Sequence, residues 1–247
     1  MFAAALKRLP LVLLLVLAGC AGVALRQDFG AVAPPAVAVG DRWVYQVING
    51  YNKQPVARVT YEVTAVTSEF VEARVTEDPG GSFTRRFEAG WNPYSGMMPP
   101  GLPAGFGFEK SLPSGAPVDY APAFPAFRFP LVPDQHWSSR IRVTDPALGR
   151  SIEADVDSRV VGLGQVTTPA GQFDAVKVRH DVYYRDWVWW RTQTWEWFFD
   201  WYAPAINNIV LRDSQAQYRD YTRMIERSPE IMRGDWRITQ LVEYSRR

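Results

Sequence analysis

Hydrophobic and polar residues alternate along many short stretches of this chain, which is the pattern of β-strands that bury one face. The clearest stretch spans residues 58–65, where four apolar side chains alternate with four polar ones. Similar patterns predict further strands over residues 42–48, 70–76, 83–87, 138–144, 151–161, 173–182, 192–202, 207–212 and 236–244. These ten segments predict an all-β fold, an antiparallel meander that forms a curved sheet or a partly closed barrel.

Two segments interrupt the alternation. Residues 92–133 form a long Pro/Gly-rich loop that contains five phenylalanines: Phe106, Phe108, Phe124, Phe127 and Phe129. Because long loops without periodicity are uncommon inside a domain, we expect these rings to plug an open side of the core, with a functional lid as the alternative. Only residues 218–232 have a pattern with possible helical character, and Pro229 would restrict how far such a helix extends.

The N-terminus has the features of a secretory signal peptide. Lys7 and Arg8 precede an apolar run over residues 9–18, which is far shorter than the roughly 20 residues of a membrane-spanning helix. The four residues 17–20, Leu-Ala-Gly-Cys, resemble the lipobox of bacterial lipoproteins. The resemblance implies a signal peptide over residues 1–19 and lipidation of Cys20, and an ordinary secretory signal with a chance cysteine is the alternative.

Cys20 is the one cysteine of the sequence, so the chain forms no intramolecular disulfide. Several acyl chains on this residue would hold the protein firmly to a membrane, since each buried methylene contributes about 0.8 kcal/mol. By the same resemblance, Ala21 after the cysteine implies an outer-membrane protein that faces the periplasm. We expect residues 20–39, rich in Ala, Val, Pro and Gly, to form a flexible tether to a single β domain over residues 40–247.

The charge balance argues against a nucleic-acid partner. Removal of the signal peptide takes two of the 27 basic residues, and the remaining 25 nearly balance the 26 acidic ones. Phosphate binding needs a basic surplus or a basic patch, and the sequence has neither. Aromatic residues make up 14% of the chain and charged residues only 21%, which favours a packed core over disorder.

Three segments together resemble a known bacterial family. They are Phe129-Pro130-Leu131 followed by His136-Trp137, the turn and strand over residues 168–178, and Trp201-Tyr202-Ala203-Pro204 shortly before Ile209-Val210. The segments are similar to exported proteins of unknown function, often called TapB-like, whose curved sheets distantly resemble those of the LolA and LolB lipoprotein carriers. One departure is residues 205–208, Ala-Ile-Asn-Asn, where that family has a glycine-bearing turn.

Residues for catalysis or metal binding are sparse. The two histidines, His136 and His180, are far apart and have no cysteine partner, so a zinc site is not expected. No G-x-S-x-G elbow, P-loop or dinucleotide motif occurs, although a Ser-His-Asp triad assembled from distant loops would leave no such signature. We predict that the chain is not an enzyme and uses no cofactor or metal, and that His180 is a core residue.

Residues 186–202 hold six of the ten tryptophans. An extended strand would place five of them on one face, and a hairpin turn near residues 191–193 would instead form cross-strand pairs. One interpretation is sheet packing, and the other is an exposed platform for a sugar, an acyl chain or a partner protein. The candidate ligand-binding residues are Trp187, Trp189, Trp195, Trp197 and Trp201.

These observations favour a membrane-anchored, non-catalytic envelope lipoprotein that binds a partner protein or an apolar ligand through a sheet face. One alternative is a LolB-like carrier of lipid or lipoprotein, which requires an apolar cavity. The other alternative is a hydrolase of envelope polymers with His136 as the base.

Overall fold

The structure, a computed structural model, describes residues 24–97, 117–188, 191–222 and 228–247. These residues form twelve β-strands and one short 3-10 helix, Pro204–Ile206. The strands are β1 (Arg42–Asn49), β2 (Pro55–Val66), β3 (Val71–Asp78), β4 (Gly81–Phe87), β5 (Ser95–Met97), β6 (Pro117–Ala121), β7 (His136–Asp145), β8 (Arg150–Thr168), β9 (Gly171–Val188), β10 (Arg191–Ala203), β11 (Asn208–Asp220) and β12 (Glu230–Ser245). Within the described ranges, no helix is long and apolar enough to cross a membrane.

All twelve described strands belong to one antiparallel sheet, ordered β4-β3-β2-β1-β12-β11-β10-β9-β8-β7-β6-β5. Strands that are neighbours in sequence pair with each other, except for β4 and β5, which are the two edges of the sheet. The first strand, β1, also pairs with the last, β12. The two edge strands, β4 and β5, meet near the turn between them, where Tyr94 N–H donates to the carbonyl oxygen of Arg86 at 3.0 Å. The sheet is therefore a partly closed barrel with a seam between β4 and β5, which confirms the predicted fold class.

The barrel interior is filled by the apolar positions that the alternation predicts. In β8 the even-numbered residues from 152 to 160 are buried, and in β9 Val178 and Val182 face them across the same surface. Phe124 and Phe127, from the Pro/Gly-rich loop, are buried among these strands. The plug interpretation is confirmed for these two rings, whereas Phe106 and Phe108 lie outside the described residues.

The Pro/Gly-rich loop contains two strands that the pattern does not predict. β5 and β6 have only three and five residues, so neither is long enough to display an alternation. Register pairing places Val118 opposite Gly96 and Tyr120 opposite Val143, which extends the sheet beyond β7. Tertiary pairing rather than local pattern forms these strands.

The prediction of helical character over residues 218–232 is wrong at both ends of the segment. Residues 218–220 are the last of β11 and residues 230–232 are the first of β12, with Tyr218 opposite Met232 and Asp220 opposite Glu230. Residues 223–227 lie outside the described part. The pairing of β11 with β12 satisfies the backbone hydrogen bonds that a helix would otherwise have supplied.

The described part of the predicted tether, residues 24–39, lies against the barrel. Arg26 N–H donates to the carbonyl oxygen of Leu163 at 2.8 Å, and Val32 exchanges backbone hydrogen bonds with Leu131. Leu25 and Phe29 pack against the core cluster. These residues therefore contact the barrel, which a free linker would not do. The flexibility of residues 20–39 stays a prediction.

Candidate functional site

A groove of about 920 Å³ lies on the outer face of the barrel. Most of its lining residues face outward from β7 to β11, and in β8, β9 and β10 these are the odd-numbered positions. We call it the outer groove. The residues that line it include Ser138, Arg140, Asp155, Asp157, Arg179, Asp181, Tyr183, Trp195, Trp197, Phe199 and Gln217.

Four aromatic rings form the apolar part of the outer groove. Tyr183 and Trp195 are a cross-strand pair with ring centroids 5.6 Å apart, and Trp197 and Phe199 continue the row along β10. Trp195, Trp197 and Phe199 are half-buried. Alternate residues of a strand project to the same side, so the sequence Trp-x-Trp-x-Phe places these rings in one line.

Charged side chains surround the rings and pair with one another. Asp155 accepts hydrogen bonds from Arg140 at 2.8 Å and from Arg185 at 2.5 and 2.8 Å. Arg179 donates two hydrogen bonds to Asp181, from Nε at 2.7 Å and from Nη2 at 2.6 Å. The hydrogen bond from Arg140, and secondarily that from Arg185, lowers the pKa of Asp155. These contacts leave the rim of the groove polar but nearly balanced in charge.

His136 lies at the edge of the same groove, where its Nε2 is 2.7 Å from Asp157 Oδ2. Both side chains are more than half exposed. Ser138 is on the same face of β7, but no serine of the described residues hydrogen-bonds His136. The geometry therefore provides an exposed His-Asp pair without a bound nucleophile.

The sequence-predicted site residues are distributed unevenly over this region. Trp195 and Trp197 line the outer groove, whereas Trp201 is only 5% exposed and packs beneath Lys177. Trp187 belongs to β9, and its side chain is not described. Trp189 and Cys20 lie outside the described residues.

The second of the two predicted strand geometries occurs, because β9 and β10 pair as a hairpin rather than forming one extended strand. Val188 is opposite Arg191, so β9 ends and β10 begins just before the predicted turn. An irregularity follows at residues 192–194, where Gln193 has φ of 56°. The hairpin brings Trp195 opposite Tyr183 and forms the aromatic row.

A row of polar groups crosses the inner face of β8 to β11. Ser158 Oγ and His180 Nδ1 are joined by a hydrogen bond of 2.9 Å, and His180 Nε2 is 3.5 Å from Asp200. Arg212 donates two hydrogen bonds of 2.6 Å to the Asp200 carboxylate. We call these four residues the inner polar row. Direct cross-strand pairing of Ser158 with His180 and of Asp200 with Arg212 sets this arrangement.

Burial and charge act in opposite directions on these groups. Burial is the largest single effect on Asp200 and opposes ionisation, but the interactions with Arg212, and secondarily those with His180, together lower the pKa to about 2. Burial also lowers the pKa of His180, and the nearby Asp200 carboxylate offsets only part of that effect. At neutral pH the row therefore contains a neutral imidazole and an ionised Asp-Arg pair.

Three members of the inner polar row have the residue types of a Ser-His-Asp triad, yet they are sealed from solvent, whereas the Arg212 side chain is 37% exposed. Ser158, His180 and Asp200 each have no exposed surface. The His180 ring stacks on Phe198 with centroids 4.4 Å apart, and the rings of Phe124, Phe127 and Trp137 surround it at 6.3 to 6.5 Å. A substrate has no access to the Ser158 hydroxyl in this arrangement, and the row acts as a structural network. His180 is a core residue, as predicted.

A second cavity, of about 300 Å³, lies inside the barrel beneath the seam between β4 and β5. We call it the inner cavity. Aromatic and aliphatic side chains form most of its wall, together with a few charged groups. The charged residues are Glu77, Arg85, Glu196, Arg212 and Arg237. The Tyr184 hydroxyl donates to Glu196 at 2.9 Å, and burial raises the pKa of that carboxyl.

The sequence interpretation did not identify the inner polar row or the inner cavity. A signal for the row exists in β10, where Asp200 occupies the same parity as the buried Phe198 and Tyr202. A charge at an inward position needs a partner, and Arg212 supplies it from β11. The cavity had no comparable signal, because it depends on how strands distant in sequence are placed.

Among the described residues, no group of three or more His, Cys, Asp or Glu side chains is arranged to hold a metal ion. No protein-family model and no curated protein matches the chain. The resemblance to TapB-like proteins and to LolA and LolB is not shown by these comparisons and stays a prediction.

The chain is similar to three solved structures at low sequence identity. One is a protein of Bacteroides fragilis described as exported, with a YmcC-like fold, which is 17% identical in sequence with a TM-score of 0.46. The alignment covers 88% of this chain and 100% of that protein's chain. A protein of Parabacteroides distasonis described as a lipoprotein is 16% identical with a TM-score of 0.46 and the same coverage. The hypothetical lipoprotein YmcC of Escherichia coli is 9% identical with a TM-score of 0.39 and covers 83% of this chain and 85% of its own. These similarities are too weak to support a shared function.

Proposed function

We propose that this chain is a non-catalytic lipoprotein of the bacterial envelope that binds a partner protein through the outer groove. In this proposal, lipid on Cys20 anchors the protein to the outer membrane and the β domain faces the periplasm. The observation that carries the proposal is the row of half-buried rings, Tyr183, Trp195, Trp197 and Phe199, inside a rim of paired charges.

The composition of the outer groove matches the anatomy of protein interfaces. Their centres are enriched in Trp, Tyr, Phe and Arg, and their rims are polar. Rings such as Trp195 and Trp197 contribute much of the binding energy when a partner removes them from water. The rim charges of Arg140 and Arg179 already have carboxylate partners, so they favour correct orientation more than strong attraction.

The alternatives receive less support from the geometry. A carrier of lipoproteins must shelter several acyl chains, but the inner cavity of about 300 Å³ has room for about ten methylene groups if each takes about the volume of a water molecule. Its wall also contains charged groups. For a hydrolase, His136 has a carboxylate partner, but no nucleophile is hydrogen-bonded to it among the described residues.

Site-specific crosslinking tests the partner-binding role. A photoreactive amino acid at position 197 of the full chain, expressed in a two-membrane bacterium, should give one crosslinked species of defined mass. The same amino acid at position 74, where Arg74 is exposed on the other side of the barrel, should give none. Trp195→Ala should abolish the species from position 197. Equal crosslinking from both positions, or none from position 197, would refute the proposal.

Fractionation and intact-mass measurement test the anchor separately. Wild-type protein should fractionate with membranes and show the mass of acyl chains at its N-terminus. Cys20→Ala should lose both properties. A wild type that is soluble and unmodified would refute the lipoprotein assignment without bearing on the outer groove.

A further inference from the structure

The inner cavity contains a cation that lacks an ion-pair partner. Arg85 points inward from β4, and its guanidinium donates one hydrogen bond, to the Tyr61 hydroxyl at 3.1 Å. Its Nε is buried and has no hydrogen-bond partner. No carboxylate of the described residues lies within 4 Å of it, although a charge in such a position ordinarily has a partner.

The acidic residues of the cavity wall do not neutralise this guanidinium. Ala73 is the residue of β3 opposite Arg85. Glu77 is four positions further along β3, so its Cα lies roughly 13 Å from that of Ala73. Glu196 accepts a hydrogen bond from Tyr184, and burial raises its pKa and disfavours its charged form. The other cations of the wall differ from Arg85, because Arg212 binds Asp200 and Arg237 is 3.3 Å from Asp235.

Aromatic rings also line the inner cavity, and the Arg85 guanidinium itself lies 5.4 Å from the centroid of the Phe83 ring and 5.9 Å from that of Tyr61. Phe87 and Trp91 are in edge contact with centroids 4.7 Å apart, and Phe124 and Phe127 enter from the loop that precedes β7. Tyr120 adds a second hydroxyl to the same wall. Rings prefer other rings in offset or edge-to-face contact, so this wall favours a flat ligand over a flexible chain.

We propose that the inner cavity is a binding site for a small ring-bearing carboxylate. The carboxylate accepts hydrogen bonds from Arg85, whose free Nε and fork geometry suit a planar two-oxygen group. The ring lies among Phe87, Trp91 and Phe127. The volume of about 300 Å³ is at the lower end of the range for small-molecule pockets, which fits one or two fused rings.

Calorimetric titration with 2-naphthoate tests this site, with 2-naphthamide as the uncharged ligand of the same shape. The protein is residues 21–247, which contain every strand of the described sheet, purified without detergent. We expect 2-naphthoate to bind at least tenfold more tightly than the amide. Arg85→Gln should weaken 2-naphthoate binding at least tenfold, because it removes a charge-assisted hydrogen bond. The affinity for 2-naphthamide should not change.

Arg86→Gln is the matched control, since Arg86 is the next residue of β4 but is exposed on the outer face, where it pairs with Glu72 at 3.1 Å. It should leave both affinities unchanged. Unchanged melting temperatures would show that the variants remain folded. Failure to bind 2-naphthoate, equal binding of acid and amide, or an equal effect of both substitutions would overturn the proposal. Crosslinking at position 197 is independent of these outcomes, so the two proposals fail separately.

Discussion

Replacing Arg212 by methionine should destabilise the barrel by an amount set by the burial of Asp200. The Asp200 side chain has no exposed surface, and its carboxylate accepts two hydrogen bonds of 2.6 Å from Arg212. In the variant the charge remains buried, and His180, 3.5 Å away, is its nearest polar neighbour. Removing one member of a fully buried ion pair costs about 3 to 5 kcal/mol, and we expect the lower end of that range because the Arg212 side chain is 37% exposed. Even that cost is a large part of the roughly 5 to 15 kcal/mol by which a domain is stable.

The cost should depend on pH, and its sign follows from the pKa of Asp200. Arg212 helps to lower that pKa from 3.8 to about 2, which favours the ionised form by about 2 kcal/mol. In the wild type this stabilisation is complete above about pH 4 and is lost as the pH falls through about 2. Without Arg212, only His180 opposes the effect of burial, so we expect the pKa of Asp200 to rise and the carboxyl to take up a proton more readily as the pH falls. Arg212→Met should therefore be less destabilising at pH 4.5 than at pH 7.

Urea unfolding followed by tryptophan fluorescence measures both quantities. Arg179→Met is the control, because Arg179 also binds an aspartate, Asp181, with two hydrogen bonds but does so on the exposed outer face. That pair should contribute no more than about 1 kcal/mol. In an Asp200→Asn background, Arg212→Met should cost much less than in the wild type. A cost below about 1 kcal/mol at pH 7, or an equal cost in both backgrounds, would refute this account of the inner polar row.

Three further predictions concern other parts of the fold. Gly162 has φ of 149°, and an added Cβ would lie 3.0 Å from the carbonyl oxygen of Arg26, so Gly162→Ala should displace residues 24–39 from β8 and speed their proteolysis while the sheet stays intact. Trp91→Phe should lower the free energy of unfolding by about 1 to 3 kcal/mol, because the buried carbonyl oxygen of Asn207 loses its donor, Trp91 Nε1, at 2.7 Å. Chemical denaturation measures this free energy, and an unchanged midpoint would contradict the prediction. Glu196→Gln should become more stable relative to wild type as the pH rises from 4 to 8, since burial raises the pKa of Glu196 and penalises its ionisation in the folded state; a stability difference that does not vary with pH would contradict this.

The sequence predicts the longer strands because each has an alternating pattern with one buried face. Val59 to Ala65 and Val176 to Val182 lie in strands, and β8 continues the predicted segment to Thr168. β5 and β6 lack such a pattern because three or five residues do not establish a period. The helical expectation for residues 218–232 failed since the cross-strand pairing of Tyr218 with Met232 decides the local structure.

The candidate sites were predictable only where local sequence determines them. The tryptophan-rich stretch locates the outer groove, because alternate positions such as Trp195 and Trp197 must share one face of a strand. The burial of Trp201 at the end of the same row depends on neighbouring strands and has no local signature. Arg85 shares the parity of Phe83 and Phe87 in β4, which is a local signal for its inward direction, but the cavity that it enters depends on strands distant in sequence.

The pairing of β1 with β12 affects the order in which the protein folds. Arg42 and Ser245 are partners although they lie about two hundred positions apart in the sequence. Contacts of such high contact order form slowly, because the chain must close a long loop before the hydrogen bonds compensate the lost entropy. During synthesis the first strand is therefore present long before its partner, with an unpaired edge that can associate with other chains. A polypeptide that stops before residue 230 retains two open edges, β1 and β11, and should aggregate instead of forming a smaller barrel.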